Sequence, residues 1–218
     1  MQVKIFFKVL LLAIAFSEIS CSDTFIVKGN SMYPTFKDGE TVKIRRSFLD
    51  LEVDDVIVFY FPFGEYDNKF VINKENLMIK RVVGISGDTV SVVDGRLMNN
   101  RKGEIVSVAK ADIGSLPYWK REVITNSASY HHDDILHMNS VYIPKQGDTI
   151  EITEANYNLY KTIIKSENPI WIEGEGLYTF RNNYYFVSGD NFMYSWDSRQ
   201  WGFLPQQYII GKVTKKHK

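Results

Sequence analysis

Between Thr24 and Val213 the apolar residues come in short runs rich in valine, isoleucine and aromatic side chains, broken by Gly, Asn, Asp and Pro. That punctuation restricts the chain to strands rather than long helices. The runs are Thr24–Val27, Thr41–Arg45, Asp55–Phe61, Leu77–Val83, Thr89–Val93, Val141–Ile143, Thr149–Thr153, Ile170–Ile172, Tyr184–Val187 and Ile209–Val213. Asp94-Gly95, directly after Thr89–Val93, is the strongest hairpin signal in the chain. One helix is expected over Glu154–Ser166, capped by Thr153, with Tyr157, Tyr160, Ile163 and Ile164 on one face. The expected fold is mainly β, either barrel-like or built of packed antiparallel sheets.

Composition narrows the chemistry. At 218 residues, 44% apolar and 14% aromatic, the chain can bury a core as one domain, or one domain with a large insertion. Lys plus Arg equals Asp plus Glu at 26 each, and no basic block stands out, so no nucleic-acid partner is expected. A single cysteine, Cys21, excludes an internal disulfide and any zinc site that needs two thiolates. His131, His132, His137 and His217 are too scattered for a metal centre, and His131-His132-Asp133-Asp134 reads as a solvated loop. No metal and no cofactor are expected.

The first residues form a separate unit. An uninterrupted apolar run spans Val9 to Phe16, with Lys4 and Lys8 before it and only Glu18 after it. This suits a single membrane-spanning helix with its N-terminus in the cytoplasm. A cleavable signal, with Ala13-Ile14-Ala15 as the cleavage site, and a lipoprotein modified at Cys21 are the competing readings.

Three segments carry chemistry. Gly29-Asn30-Ser31-Met32-Tyr33-Pro34-Thr35 presents a serine hydroxyl in a loop directly after a strand, although serine in such a loop is also an ordinary turn residue. In Met78–Asp88, alternation puts Met78, Lys80 and Val82 on one face and Ile79, Arg81 and Val83 on the other. Lys80 is either an edge-strand charge that blocks aggregation, or a buried neutral amine able to take a proton from a serine. Ser188–Gly202 is dense in short hydrogen-bonding side chains; Asp190, Asp197 and Arg199 could form one ion-pair network, and Ser195 could bond a lysine amine.

Together these segments resemble the bacterial type I signal peptidase (leader peptidase) family of Ser–Lys endopeptidases. They stand here as Ser31 to Thr35, Lys80 to Asp88 and Gly189 to Arg199, in the family's order after a candidate anchor. The resemblance implies Ser31 as nucleophile, Lys80 as general base and Ser195 as the group orienting the Lys80 amine. It makes the Ser31 N–H an oxyanion donor, and Asp190, Asp197, Arg199 and Arg81 supports. Gly29 stands where some members carry a serine that adds an oxyanion donor, and Phe192 where the third box often carries arginine.

The same resemblance favours the anchor over the cleaved signal. It implies residues 1–22 as membrane anchor, a catalytic core of 23–103 and 184–218, and an inserted β-rich lobe at 104–183. The catalytic part would lie on the periplasmic face of the inner membrane. Its partners would be preprotein signal peptides, bound as an added strand and cut after small residues, and membrane lipid. Phe25, Val27, Met32, Phe36, Met78 and Ile79 are the candidate pocket residues, each of which could equally be core. Phe59–Phe63 suits either a membrane interface or a buried strand. A pilin or secretion-system maturation protease of the same superfamily, and an exported β-rich binding lipoprotein, are the alternatives.

Overall fold

The computed structural model describes residues 22–46, 51–62, 76–110, 136–171 and 176–216. The expected membrane helix, Phe63 and the 131–134 cluster lie outside them. Among the described residues no helix is long and apolar enough to cross a membrane.

The principal sheet is seven-stranded. Its strands are β1 (Ser22–Ile26), β2 (Thr41–Arg45), β3 (Val56–Tyr60), β4 (Leu77–Gly84), β11 (Tyr184–Ser188), β12 (Leu204–Pro205) and β13 (Ile209–Lys216). They lie in the order β1-β2-β13-β3-β4-β11-β12, with every pairing antiparallel. β1 and β12 are not paired with each other, so no barrel closure is seen among the described residues.

A four-stranded sheet joins β5 (Thr89–Val93), β6 (Arg96–Asn99), β7 (Gly103–Glu104) and β8 (Met138–Tyr142). Its β5–β6 hairpin turns at Asp94 and Gly95, both at positive φ, as a tight primed turn requires. β9 (Thr149–Ile152) pairs with β10 (Gly176–Thr179). Strands on both sides of residue 104 therefore share one sheet.

Helix α1 (Glu154–Glu167) begins at Thr153, whose N–H donates to Asn156 Oδ1 at 2.9 Å. Tyr160, Ile163 and Ile164 are buried, and Tyr157 packs at the margin of the same core. Asn168 and Pro169 end the helix, since proline cannot extend it. The strand expected at Ile170–Ile172 is accordingly absent at Ile170 and Trp171, with Ile172 outside the described residues. Trp171 instead lies against Tyr157, ring centroids 6.2 Å apart.

Three apolar clusters hold these layers together. One lies under the second sheet and α1; another sits on β3 and β11 with Trp201, Leu204 and Tyr208; the third joins β2 and β3 to Val27, Met32 and Phe36. In the second cluster Phe59 and Phe61 are buried against Trp201, which excludes these two rings from a membrane interface.

Candidate active site

The serine loop is pinned from beneath. Val27, Met32 and Phe36 are buried together with Val42, Ile44, Val56, Val58 and Ile79. Gly29 sits at φ +76° and donates its N–H to Asp38 Oδ1 at 2.7 Å. Burying Met32 on one side leaves the Ser31 side chain facing outward, toward β4.

Lys80 meets it there. Its Nζ lies 2.7 Å from Ser31 Oγ and 3.1 Å from the Ile79 carbonyl oxygen, and only 3% of the residue is exposed. A solvated edge charge would need the opposite, so the aggregation-blocking reading does not describe this amine. Burial lowers its pKa from 10.5 to about 8. The Asp197 and Asp190 charges oppose that fall and the Arg199 charge adds to it. At pH 7 such an amine is neutral in about one molecule in ten, against about one in a few thousand for an ordinary lysine.

The loop after β11 locks this geometry. A Cβ on Gly189 would collide with Ser195 Oγ and with the Ser31 carbonyl oxygen, so only glycine fits. Asn191 donates its N–H to the Ser31 carbonyl at 2.9 Å and its side-chain amide to the Asn30 carbonyl at 3.0 Å. Asp190 accepts two 2.6 Å hydrogen bonds from Arg81 and one from Thr35 Oγ1, tying all three motif segments to one buried carboxylate.

Asp190, Asp197 and Arg199 do not form the single network expected of them. Arg81 pairs with Asp190, and Arg199 pairs separately with Asp197. The Arg199 guanidinium lies 3.7 Å above the Phe192 ring centroid and donates to the Phe192 carbonyl at 2.7 Å. Phe192 thus supports the second pair. Burial alone would raise the Asp197 pKa, but the Arg199 charge and hydrogen bonds from Arg199, Ser195 and the Gly189 N–H hold it below the usual carboxylate range.

Ser195 also departs from expectation. Its Oγ accepts from the Gly189 N–H at 3.1 Å and bonds Asp197. The hydrogen bonds of the Lys80 amine go to Ser31 and Ile79 instead. Asp197 is the stronger acceptor within reach of the Ser195 hydroxyl, because it is ionised.

A cleft of about 420 Å³ opens over Ser31 and Lys80. Phe25, Met78 and Ile79 line it as anticipated, whereas Val27, Met32 and Phe36 are core residues beneath the loop and do not. Gly29 and Asn30 also border it. Lys28, Asn76, Leu77, Tyr194 and Trp196 complete the wall and were missed. A signal for two of them existed: Tyr194 and Trp196 flank Ser195 in the third motif segment. Trp196 is half exposed and packs on Phe61 with centroids 4.8 Å apart. Among the described residues the Leu77–Lys80 half of β4 pairs with β3 alone, because β11 leaves the ladder after Ser188 pairs with Arg81.

Among the described residues no group of three or more His, Cys, Asp or Glu side chains is placed to hold a metal ion. With the buried Lys80 amine against the Ser31 hydroxyl at its floor, the cleft is equipped for proton transfer from a serine nucleophile to an amine base.

A family model described as signal peptidase, peptidase S26, matches residues 1–217. Signal peptidase I of Buchnera aphidicola subsp. Baizongia pistaciae is 24% identical over 96% of this chain and 73% of its own length. Signal peptidase IB of Staphylococcus aureus (strain COL) is 29% identical over 87% of this chain and 74% of its own. A crystal structure of a signal peptidase I from Enterococcus faecalis V583 aligns with 77% of this chain and all of that one, at 20% identity and a TM-score of 0.34. Since the family model spans nearly the whole chain, the chain belongs to the signal peptidase family, peptidase S26, and is a serine peptidase of the type I kind.

Proposed function

We propose that this chain removes N-terminal signal peptides from exported preproteins, with Ser31 as nucleophile and Lys80 as general base. The observation that carries this is the 2.7 Å approach of Ser31 Oγ to a buried amine whose pKa has fallen to about 8. In the neutral state Lys80 Nζ takes the hydroxyl proton as Ser31 Oγ bonds to the scissile carbonyl carbon. The ammonium then returns that proton to the departing amine. A water, deprotonated by the same amine, then attacks the acyl carbon; the acyl C–Oγ bond breaks, the ammonium returns the proton to Ser31 Oγ, and the carboxylate product leaves.

The Ser31 N–H makes no hydrogen bond among the described residues, which suits it to the developing oxyanion. Gly29 supplies no side-chain donor there. Gly189, Asp190, Asp197, Arg81 and Arg199 act by holding the loop, and Ser195 by bracing Gly189 and Asp197. Among the described residues the Leu77–Lys80 edge of β4 is paired on one side, which suits a substrate bound as an added strand, with Phe25, Met78 and Ile79 limiting side-chain size beside the cut.

Residues 1–22 anchor the chain in the inner membrane, with the catalytic core of 23–103 and 184–218 and the lobe of 104–183 on the periplasmic side. The lysines before the Val9–Phe16 run support that orientation. The test is preprotein cleavage in detergent by wild type and Ser31→Ala. The variant should fold with an unchanged urea midpoint and cleave nothing; turnover near the wild-type rate would overturn the proposal.

A further inference from the structure

We infer that Lys28 sets a charge preference in the cleft, favouring peptides with an acidic side chain close to the scissile bond over peptides with a basic one. The inference rests on the cleft being the peptide site proposed above. Lys28 and Lys80 are the two cations in the cleft wall, and no acidic side chain lines it among the described residues. Lys80 is buried and bonded to Ser31, so Lys28 alone is free to act on a substrate charge.

Its backbone is fixed while its side chain is not. Val27 donates its N–H to the Glu40 carbonyl and accepts from the Gly39 N–H, both at 2.8 Å, and Gly29 is tied to Asp38. Val27 is buried and Lys28, the next residue, is exposed. Lys28 is exposed and forms no ion pair or hydrogen bond among the described residues. Asp38, an acid of the same loop, spends a carboxylate oxygen on the Gly29 N–H, and neither Asp38 nor Glu40 is in the wall. Lys28 also stands only three residues before Ser31, in the wall of the same cleft.

A solvated cation of this kind shifts preference by about two- to fivefold for each charge it meets. The experiment uses the full chain in detergent and peptides that differ only in Gln, Glu or Lys, stepped through each position flanking the cut. In wild type, kcat/KM at one or more positions should rank Glu above Gln and Gln above Lys, by about two- to fivefold per step. Lys28→Glu should invert that order at the same positions, and Lys28→Gln should flatten it. Raising ionic strength should shrink the wild-type ratios, since exposed charges are screened. If the Gln peptides are cut and the ranking is the same in wild type and Lys28→Glu, the assignment of Lys28 is overturned while the peptidase reading stands. If wild type cuts neither the peptides nor a preprotein, the peptidase reading falls first and this inference falls with it.

Discussion

Replacing Lys80 with methionine should inactivate the protein and yet stabilise it near neutrality, with a pH dependence that identifies the cause. A fall in pKa from 10.5 to about 8 means that the native state holds the ammonium at a cost of about 3 kcal/mol, at about 1.4 kcal/mol for each pH unit. Below pH 8 the folded and unfolded chains are both protonated at this position, and the full cost is present. Between pH 8 and 10.5 the native amine is neutral while the unfolded one is still charged. The unfolded state then binds more protons, so native stability rises with pH across that window. Above it the cost is gone.

Methionine follows the lysine side chain as far as its Cε and removes the cost at every pH, but it forfeits the bonds to Ser31 and Ile79, worth about 1 kcal/mol each. The variant should therefore exceed wild type by about 1–2 kcal/mol at pH 7 and fall below it by a similar margin at pH 10.5. Urea unfolding of the full chain in detergent, followed by tryptophan fluorescence across this range, measures the gap. A gap that does not change with pH, or wild type the more stable at pH 7, would refute the view that a desolvated amine sits beside Ser31.

Three further substitutions test the surroundings. Ser195→Ala should slow preprotein cleavage by about tenfold and leave the pH midpoint of activity in place, because its bonds go to Gly189 and Asp197; a displaced midpoint would mean that it acts on the amine directly. Gly189→Ala forces a methyl group into Ser195 and the Ser31 carbonyl, so cleavage should drop by more than about a hundredfold for a stability loss of only about 1–3 kcal/mol by urea unfolding, and wild-type-like cleavage would sink the close-packing explanation. Asp197→Asn leaves the buried Arg199 charge without its counterion and should cost about 3–5 kcal/mol at pH 7. The depressed Asp197 pKa makes that stabilisation complete above the unfolded value of 3.8 and lost as pH falls through the lower native one, so the two proteins should converge in acid.

The sequence alone determined whatever is local. Asp94-Gly95 forces the hairpin because both turn residues must take positive φ; Thr153 starts α1 and Pro169 stops it; Ser31 and Lys80 stand out as a hydroxyl and an amine in apolar or turn-rich settings. It did not determine which residues of a strand reach the cleft and which stay in the core. Met78, Ile79 and Lys80, which alternation would divide between two faces, all border the cleft, and Val27, two residues from Phe25, packs wholly beneath the serine loop while Phe25 reaches the cleft wall. Nor could it divide Asp190, Asp197, Arg81 and Arg199 into two pairs, or send the Ser195 hydroxyl to Asp197 rather than to Lys80. Those outcomes depend on distance and desolvation between segments more than a hundred positions apart in the chain. Alternation along a strand carries no information about the wall it will face, and the lowered proton affinity of Lys80 exists only once β4, the serine loop and the loop after β11 have closed around its amine.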